Sequence, residues 1–193
     1  MPRHADDITT LLQFINKGSA NAWENLIQRC YSNLHSIAHR IRYEAGDSPP
    51  TLDTYAILNE AFDSIYHSKQ IEWKDRKHFY LTMAQAFRFE INRYKRLKNT
   101  IKRGMKAKLV PFDEVKQEIE ELSFSQYNVV DSYLEEALGL LAEKQPRSFE
   151  WIVLRFFMGL TEKEIAELYD VSRRTVIRDW VAARHFLAYY LQK

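Results

Sequence analysis

The 193 residues are 46% apolar and 13% aromatic, which is enough for one ordinary domain or two small ones and excludes a disordered chain. Five glycines and five prolines are few for a loop-rich or all-β design, and helix formers dominate, so an all-α fold is expected. The net charge of +2 hides a segregation: nine Lys/Arg against Glu90 alone from Arg88 to Lys108, nine Asp/Glu against Lys116 alone from Asp113 to Glu143, and five Lys/Arg against Asp179 from Ser172 to the end. Two basic zones around an acidic one suggest two polyanion-facing surfaces; solvated helix faces are the bland alternative.

The start, "MPRHADD", leads into no apolar signal core, and the most apolar run, "WIVLRFFMGL", is short and carries Arg155, so neither export nor a membrane span is expected. Cys30 is the single cysteine and suits a reducing compartment. The expectation is a cytoplasmic protein.

In chain order, Ile8, Leu11, Leu12 and Ile15 keep the spacing of an amphipathic helix, with Gly18 as its stop. From about Asn21 a stripe of Trp23, Leu26, Ile27, Cys30, Leu34, Ile37, Ala38 and Ile41 predicts a longer helix, which "EAGDSPP" ends. A third helix over 54–67 carries Ile57, Leu58, Ala61, Phe62, Ile65 and Tyr66. After the connector "HSKQIEWKD", Asp75 can cap a fourth helix that runs to about Leu97. Periodicity fades over 99–130, where Gly104, Pro111 and blocky charge read as a linker with a helical turn near 114–122. Helices are expected again at 131–143 and, after Pro146, at 147–157. The organisation is thus an N-terminal helical domain over 6–98, a charged linker over 99–130 and a C-terminal helical domain over 131–193 containing a helix-turn-helix.

That pair is "GLTEKEIAELYDVSRRTVIRDW", residues 159–180. Thr161 and Glu164 form a T-x-x-E capping box, Ala166 is small where two helices must cross, and Asp170 tolerates the left-handed conformation a tight turn needs. Ser172 is a good N-cap. At about 100° per residue, Val176, Ile177, Trp180, Ala183 and Leu187 gather on one side, and Arg174, Thr175, Arg178, Asp179, Ala182 and His185 on the other, with Arg173 at the first turn. Arginine can bind guanine O6 and N7 bidentately and threonine can meet a thymine methyl, so this face suits a major groove. A helical hairpin with a wet outer face is the alternative.

The fourth helix offers a second surface. Phe79, Met83, Phe87 and Tyr94 face inward, while Gln85, Arg88, Phe89, Asn92, Lys95 and Arg96 share the opposite face. A phenylalanine among amides and cations fits unstacked bases and their backbone. A face covered by protein and a plain surface stay open as readings.

The isolated glycines exclude a dinucleotide or P-loop fingerprint. His35 and His39 stand four apart without a carboxylate or cysteine cluster, so no metal is expected. Cys30 lies on an apolar stripe as an inert thiol. No catalytic constellation stands out, so no enzyme, cofactor or small-molecule substrate is expected.

The run from "LEEALGLLAEKQPRSF" through "LRFFMGLTEKEIAELYDVSRRTVIRDW" resembles the promoter-upstream-reading domain of bacterial sigma-70-type factors. "TYAILNEAFDSIY" and "HFYLTMAQAFRFEINRYKRLK" resemble the core-polymerase-binding and promoter-melting helices of the other conserved sigma domain. Two such domains on a linker are similar to the extracytoplasmic-function (ECF) group. The resemblance implies that Ser172, Arg173, Arg174, Thr175, Arg178 and His185 meet the minus-35 element as duplex. It implies that Gln85, Arg88, Phe89, Asn92, Lys95 and Arg96 meet the melted minus-10 element, with a flipped base held near the connector. Leu58, Asn59, Glu60, Phe62 and Asp63 would face the polymerase clamp. The implied partners are core RNA polymerase, promoter DNA and an anti-sigma factor. Asp170 in place of the usual glycine, Arg93 where relatives often have aspartate and Phe89 where many have a basic residue depart from the pattern. A stand-alone dimeric helix-turn-helix regulator and a degenerate sigma that only sequesters partners are the rival readings.

Overall fold

Apolar residues at helical spacing become helices throughout the part of the chain that the computed structural model describes, residues 5–44, 51–67, 71–102 and 132–191. Four helices form the N-terminal half: α1 (Ala5–Asn16), α2 (Ala20–Glu44), α3 (Thr51–His67) and α4 (Arg76–Lys102). Four form the C-terminal half: α5 (Ser132–Lys144), α6 (Pro146–Phe157), α7 (Glu162–Tyr169) and α8 (Arg173–Leu191). The all-α expectation is met among these residues. Helix α4 runs several residues past the expected end near Leu97, and the helical turn expected near 114–122 lies outside the described residues. Among the described residues no helix is long and apolar enough to cross a membrane.

The helix ends follow local chemistry. Gly18 closes α1 at φ +86°, and its N–H reaches the Ile15 carbonyl at 2.8 Å. Asp75 caps α4 as expected, its carboxylate accepting the His78 N–H at 2.7 Å. Pro146 occupies the first turn of α6, where its missing N–H costs nothing.

Packing then joins the halves. In the N-terminal half α3 lies on α2 and α4, and α1 on α2; in the C-terminal half α8 lies on α5, α6 and α7. Helix α6 is the hinge of the core: Phe149, Trp151, Ile152, Val153 and Leu154 are all buried, so its apolar surface extends well beyond one stripe. A helix of that kind has to be covered on several sides. Helices α5 and α8 cover part of it, and α4 and α2 cover the rest. The buried residues accordingly form one continuous cluster, from Leu12 and Leu26 through Phe79 and Phe87 to Phe149, Trp151, Ile165, Val176 and Ala183.

Candidate nucleic-acid interface

The α7–α8 pair is built by its caps. The Thr161 hydroxyl accepts the Glu164 N–H at 3.3 Å and the Glu164 carboxylate accepts the Thr161 N–H at 2.8 Å, which is the reciprocal box expected from the sequence. Ile165 and Ala166 of α7 are buried. Asp170 ends the helix in the left-handed conformation (φ 51°, ψ 48°), and the Val171 N–H returns to the Ala166 carbonyl at 3.0 Å. Ser172 then starts α8, its hydroxyl accepting the Thr175 N–H at 3.1 Å and lying 2.8 Å from the Thr175 hydroxyl. The turn between the helices is therefore fixed at both ends.

Fixing the turn fixes the outward face of α8. Ser172, Arg173, Arg174, Arg178, Ala182 and His185 are exposed, and Thr175 is half-buried. Arg173 lies 3.6 Å from Glu162, whose carboxylate also pairs with Arg155. Burial pushes the Glu162 carboxyl up, but its own backbone hydrogen bond and then Arg155 and Arg173 prevail and hold it below the usual range. Arg178 bonds Asp179 at 2.9 Å. Asp179 itself is not part of the open face: its side chain is 13% exposed and receives Arg147 of α6 at 2.6 Å. Inside, Val176 and Ala183 are buried and Trp180 and Leu187 half-buried as expected. Ile177 departs from that stripe. It is 42% exposed and, with exposed Val181 and Phe156, forms an apolar fringe beside Trp180, which Arg155 covers at 4.9 Å.

The α4 face is arranged differently. Gln85, Phe89 and Asn92 are half-buried, while Arg88 is only 7% exposed and its guanidinium stands 5.7 Å over the Phe149 ring of α6. The side chains of Lys95 and Arg96 lie outside those described. Glu90, expected only as a lone acid among bases, is buried, and burial pushes its carboxyl up even though Arg93, 2.8 Å away, pulls it down. Arg93 also reaches Glu60 of α3 at 3.3 Å, so the residue that departs from the family pattern ties α3 to α4.

On α3, Leu58 and Phe62 are buried at 0% and 5% exposure and belong to the core. Asn59, Glu60 and Asp63 are exposed, and exposed Tyr55 and Tyr66 share their side of the helix. Tyr55 extends an aromatic stack with His35 and Tyr31 of α2, at ring separations of 4.8 and 6.3 Å. Buried Cys30 has its thiol pushed up to about 11 by desolvation, in keeping with an inert side chain.

A hollow of about 290 Å³ lies between the α1–α2 turn, the end of α3 and the connector, near which the resemblance implied a flipped base, although the residues that line it were not named from the sequence. Trp23 and Trp73 stack there 6.5 Å apart, with half-exposed Tyr66 5.9 Å from Trp23. Asn16 pins the connector from both sides, accepting the Trp73 N–H and donating to its carbonyl, each at 2.9 Å. The signal was present as a tryptophan in a connector, where loops are usually polar.

Taken together, these elements define an all-α protein with a tightly capped helix pair in its C-terminal half and a long basic helix in its N-terminal half. A family model described as ECF sigma factor matches residues 5–193, and the chain belongs to that family. It is therefore a DNA-binding transcription factor of the sigma type that acts with RNA polymerase in transcription initiation. Searches of curated proteins and of solved structures found no match.

Proposed function

We propose that the chain gives core RNA polymerase its promoter specificity by reading a minus-35 element as duplex with α8 and capturing an opened minus-10 element with the N-terminal half. The observation that carries this reading is the exposed first half of α8, where Arg173, Arg174 and Arg178 stand beyond a turn fixed by caps on both sides. Arg174 and Arg178 supply bidentate donors for base edges. Ser172 and Thr175, engaged with each other at the helix start, and His185, about three turns further on, supply phosphate contacts.

In the N-terminal half, Gln85, Arg88, Phe89, Asn92, Lys95 and Arg96 are the candidate single-strand face. The Trp23–Trp73 hollow beside the connector is the candidate receptacle for a flipped base. Its aromatic walls fit the chemistry, since stacking a base on such a face is worth about 1–3 kcal/mol, comparable with the cost of unstacking it. Asn59, Glu60 and Asp63, exposed on α3, are the candidate polymerase contacts. An anti-sigma factor is a further candidate partner, for which the exposed α3 face and the apolar fringe around Ile177 offer surfaces. The chain works as a binding subunit without catalysis of its own.

Run-off transcription tests the reading: core polymerase with a pool of genomic promoter fragments, with and without the chain. Discrete transcripts that appear only with the chain are expected, and their shared upstream sequence names the promoter. Failure of the chain to bind core polymerase sinks the proposal.

A further inference from the structure

Two of the arginines proposed above to meet the minus-35 duplex lean on acids of their own chain, and the inference here rests on that reading. Arg178 meets a single oxygen of Asp179 with one whole edge of its guanidinium: Nε and Nη2 each lie 2.9 Å from Oδ1. The other oxygen, Oδ2, accepts from Nη2 of Arg147 on α6 at 2.6 Å. Arg147 in turn stands 5.1 Å over the ring of Trp151, which is wholly buried. Glu162 repeats the plan. Its carboxylate is shared between Arg155 of α6, which rests on Trp180, and Arg173 at the looser distance of 3.6 Å.

Adjacent residues of a helix do not face each other, so the Arg178–Asp179 pair is not of the ordinary helical kind. Arg178 bends back toward a carboxylate that the neighbouring helix holds. Ion pairs between two mobile side chains in water contribute little. Here only one partner is mobile, since the Arg178 side chain is 71% exposed and that of Asp179 only 13%.

A guanidinium presents its N–H donors in a rigid planar fork. The carboxylate takes the edge formed by Nε and Nη2. It leaves the outer edge, with N–H groups on both Nη1 and Nη2, which matches guanine O6 and N7. Negative charge on the inner edge also offsets the attraction of the arginine to phosphate, a contact that carries no sequence information. Asp179 thus favours base over backbone by orientation and again by charge.

We propose that Asp179 is a positioning residue that makes Arg178 selective for guanine in the minus-35 duplex, with Arg147 on Trp151 as its anchor. The acid touches no base itself. It acts through Arg178, and the Glu162–Arg173 pair, being looser, confers less selectivity.

The test randomises the minus-35 base pairs of a promoter that run-off transcription identifies, and sequences the templates that holoenzyme transcribes. With the wild-type chain one position should demand guanine, and Arg178→Ala should abolish that demand, which marks the base pair that Arg178 meets. There the wild-type preference for guanine over adenine should be about 10-fold or more, and Asp179→Asn should lower it to about twofold while other positions keep theirs. Random-sequence duplex should compete for the Asp179→Asn holoenzyme about threefold better, because a cation has been released to phosphate. Adding Asp179→Asn to Arg178→Ala should alter no preference further. Arg147→Gln, which leaves the acid but removes its anchor, should lower the guanine preference about threefold, and it decides alone where Asp179→Asn does not fold.

Guanine preference kept by both Asp179→Asn and Arg147→Gln overturns the proposal and leaves the reading of α8 standing. Preference lost evenly at every position, with random duplex competing less well, also overturns it, since Asp179 would then serve the fold alone. If Arg178→Ala relaxes no position, the reading of α8 falls, and the proposal with it.

Discussion

Helices α8 and α4 carry the same kinds of side chain, arginines at helical spacing with small or polar neighbours, and the fold treats them in opposite ways. On α8 the arginines of the first two turns are exposed, restrained only by ion pairs along the surface. On α4 the central arginine is enclosed, with a phenylalanine from the other half across its face. The difference lies in the neighbours. Helix α8 turns its other side to α5, α6 and α7 and has its outer face open, whereas α4 is packed by α3 on one side and by α6 and α7 on another. Charge composition marks a face as suited to nucleic acid, but tertiary packing decides whether that face is available.

The change expected to disturb this contrast most is Phe149→Ala. The ring is 1% exposed, belongs to the continuous core and is the surface against which Arg88 rests. Truncation should cost about 3–5 kcal/mol of stability. Because the core runs through both halves, urea denaturation followed by circular dichroism should show one transition moving as a whole. Two transitions, of which only one moves, would mean that the halves fold independently.

Arg174→Ala combined with Arg178→Ala sharpens the contrast from the other side. Each bidentate base contact is worth about 1–3 kcal/mol, so promoter-specific transcripts should fall about 100-fold or more. Both side chains are exposed, and Asp179 keeps Arg147 when Arg178 is lost, so the denaturation midpoint and polymerase binding should hold. Full transcription by this variant would remove α8 from the proposed reading.

The two faces also differ in how much of each could be read from the sequence. The α7–α8 unit is governed by contacts within a few residues: Thr161 with Glu164, Asp170 with Ala166, Ser172 with Thr175. Local spacing encodes such contacts, and the expected caps and turn are found. On α4 the deciding contact joins Arg88 to a residue about sixty positions away, which no periodicity reports. Resemblance to a binding helix likewise names its stretch without separating its buried side, with Leu58 and Phe62, from its exposed side, with Asn59 and Asp63. Ile177 and Asp179 were assigned by angle alone, and each shifted once α6 took up its place beside α8.

A smaller pair of substitutions compares two left-handed residues with different surroundings. Gly159 (φ +67°) is pressed against Asn33 and Ile37 across the junction, and Asp170 (φ 51°) is exposed in its turn. Gly159→Ala should destabilise by about 1–2 kcal/mol, since it adds a β-carbon both to a left-handed backbone and to a filled space. Asp170→Gly should stabilise by about 0.5 kcal/mol, since it removes the β-carbon penalty where nothing depends on the side chain. Thermal melts read both signs, and a neutral Gly159→Ala would show that the halves part at little cost.

The smallest expected effect is a pH dependence confined to the connector. His78 Nδ1 accepts the Lys74 N–H at 3.3 Å, the ring stands 5.5 Å from Trp73, and the His78 N–H is held by Asp75. Burial, and then the nearby Lys74 charge, hold the imidazole below its ordinary value of 6.5 against the opposing pull of Asp75. The folded chain therefore disfavours the protonated ring, and protonation also removes the acceptor for Lys74. The stability this group contributes is complete above about pH 6.5 and is lost as the pH falls from there through the lower folded value. Hydrogen exchange, corrected for intrinsic rates, should show the Lys74 amide losing protection over that window while the α7–α8 turn, which contains no histidine, keeps its own. His78→Phe should remove the dependence by removing the titrating group. A Lys74 amide whose protection in the wild-type chain is flat through that window would show that His78 does not hold the wall of the Trp23–Trp73 hollow.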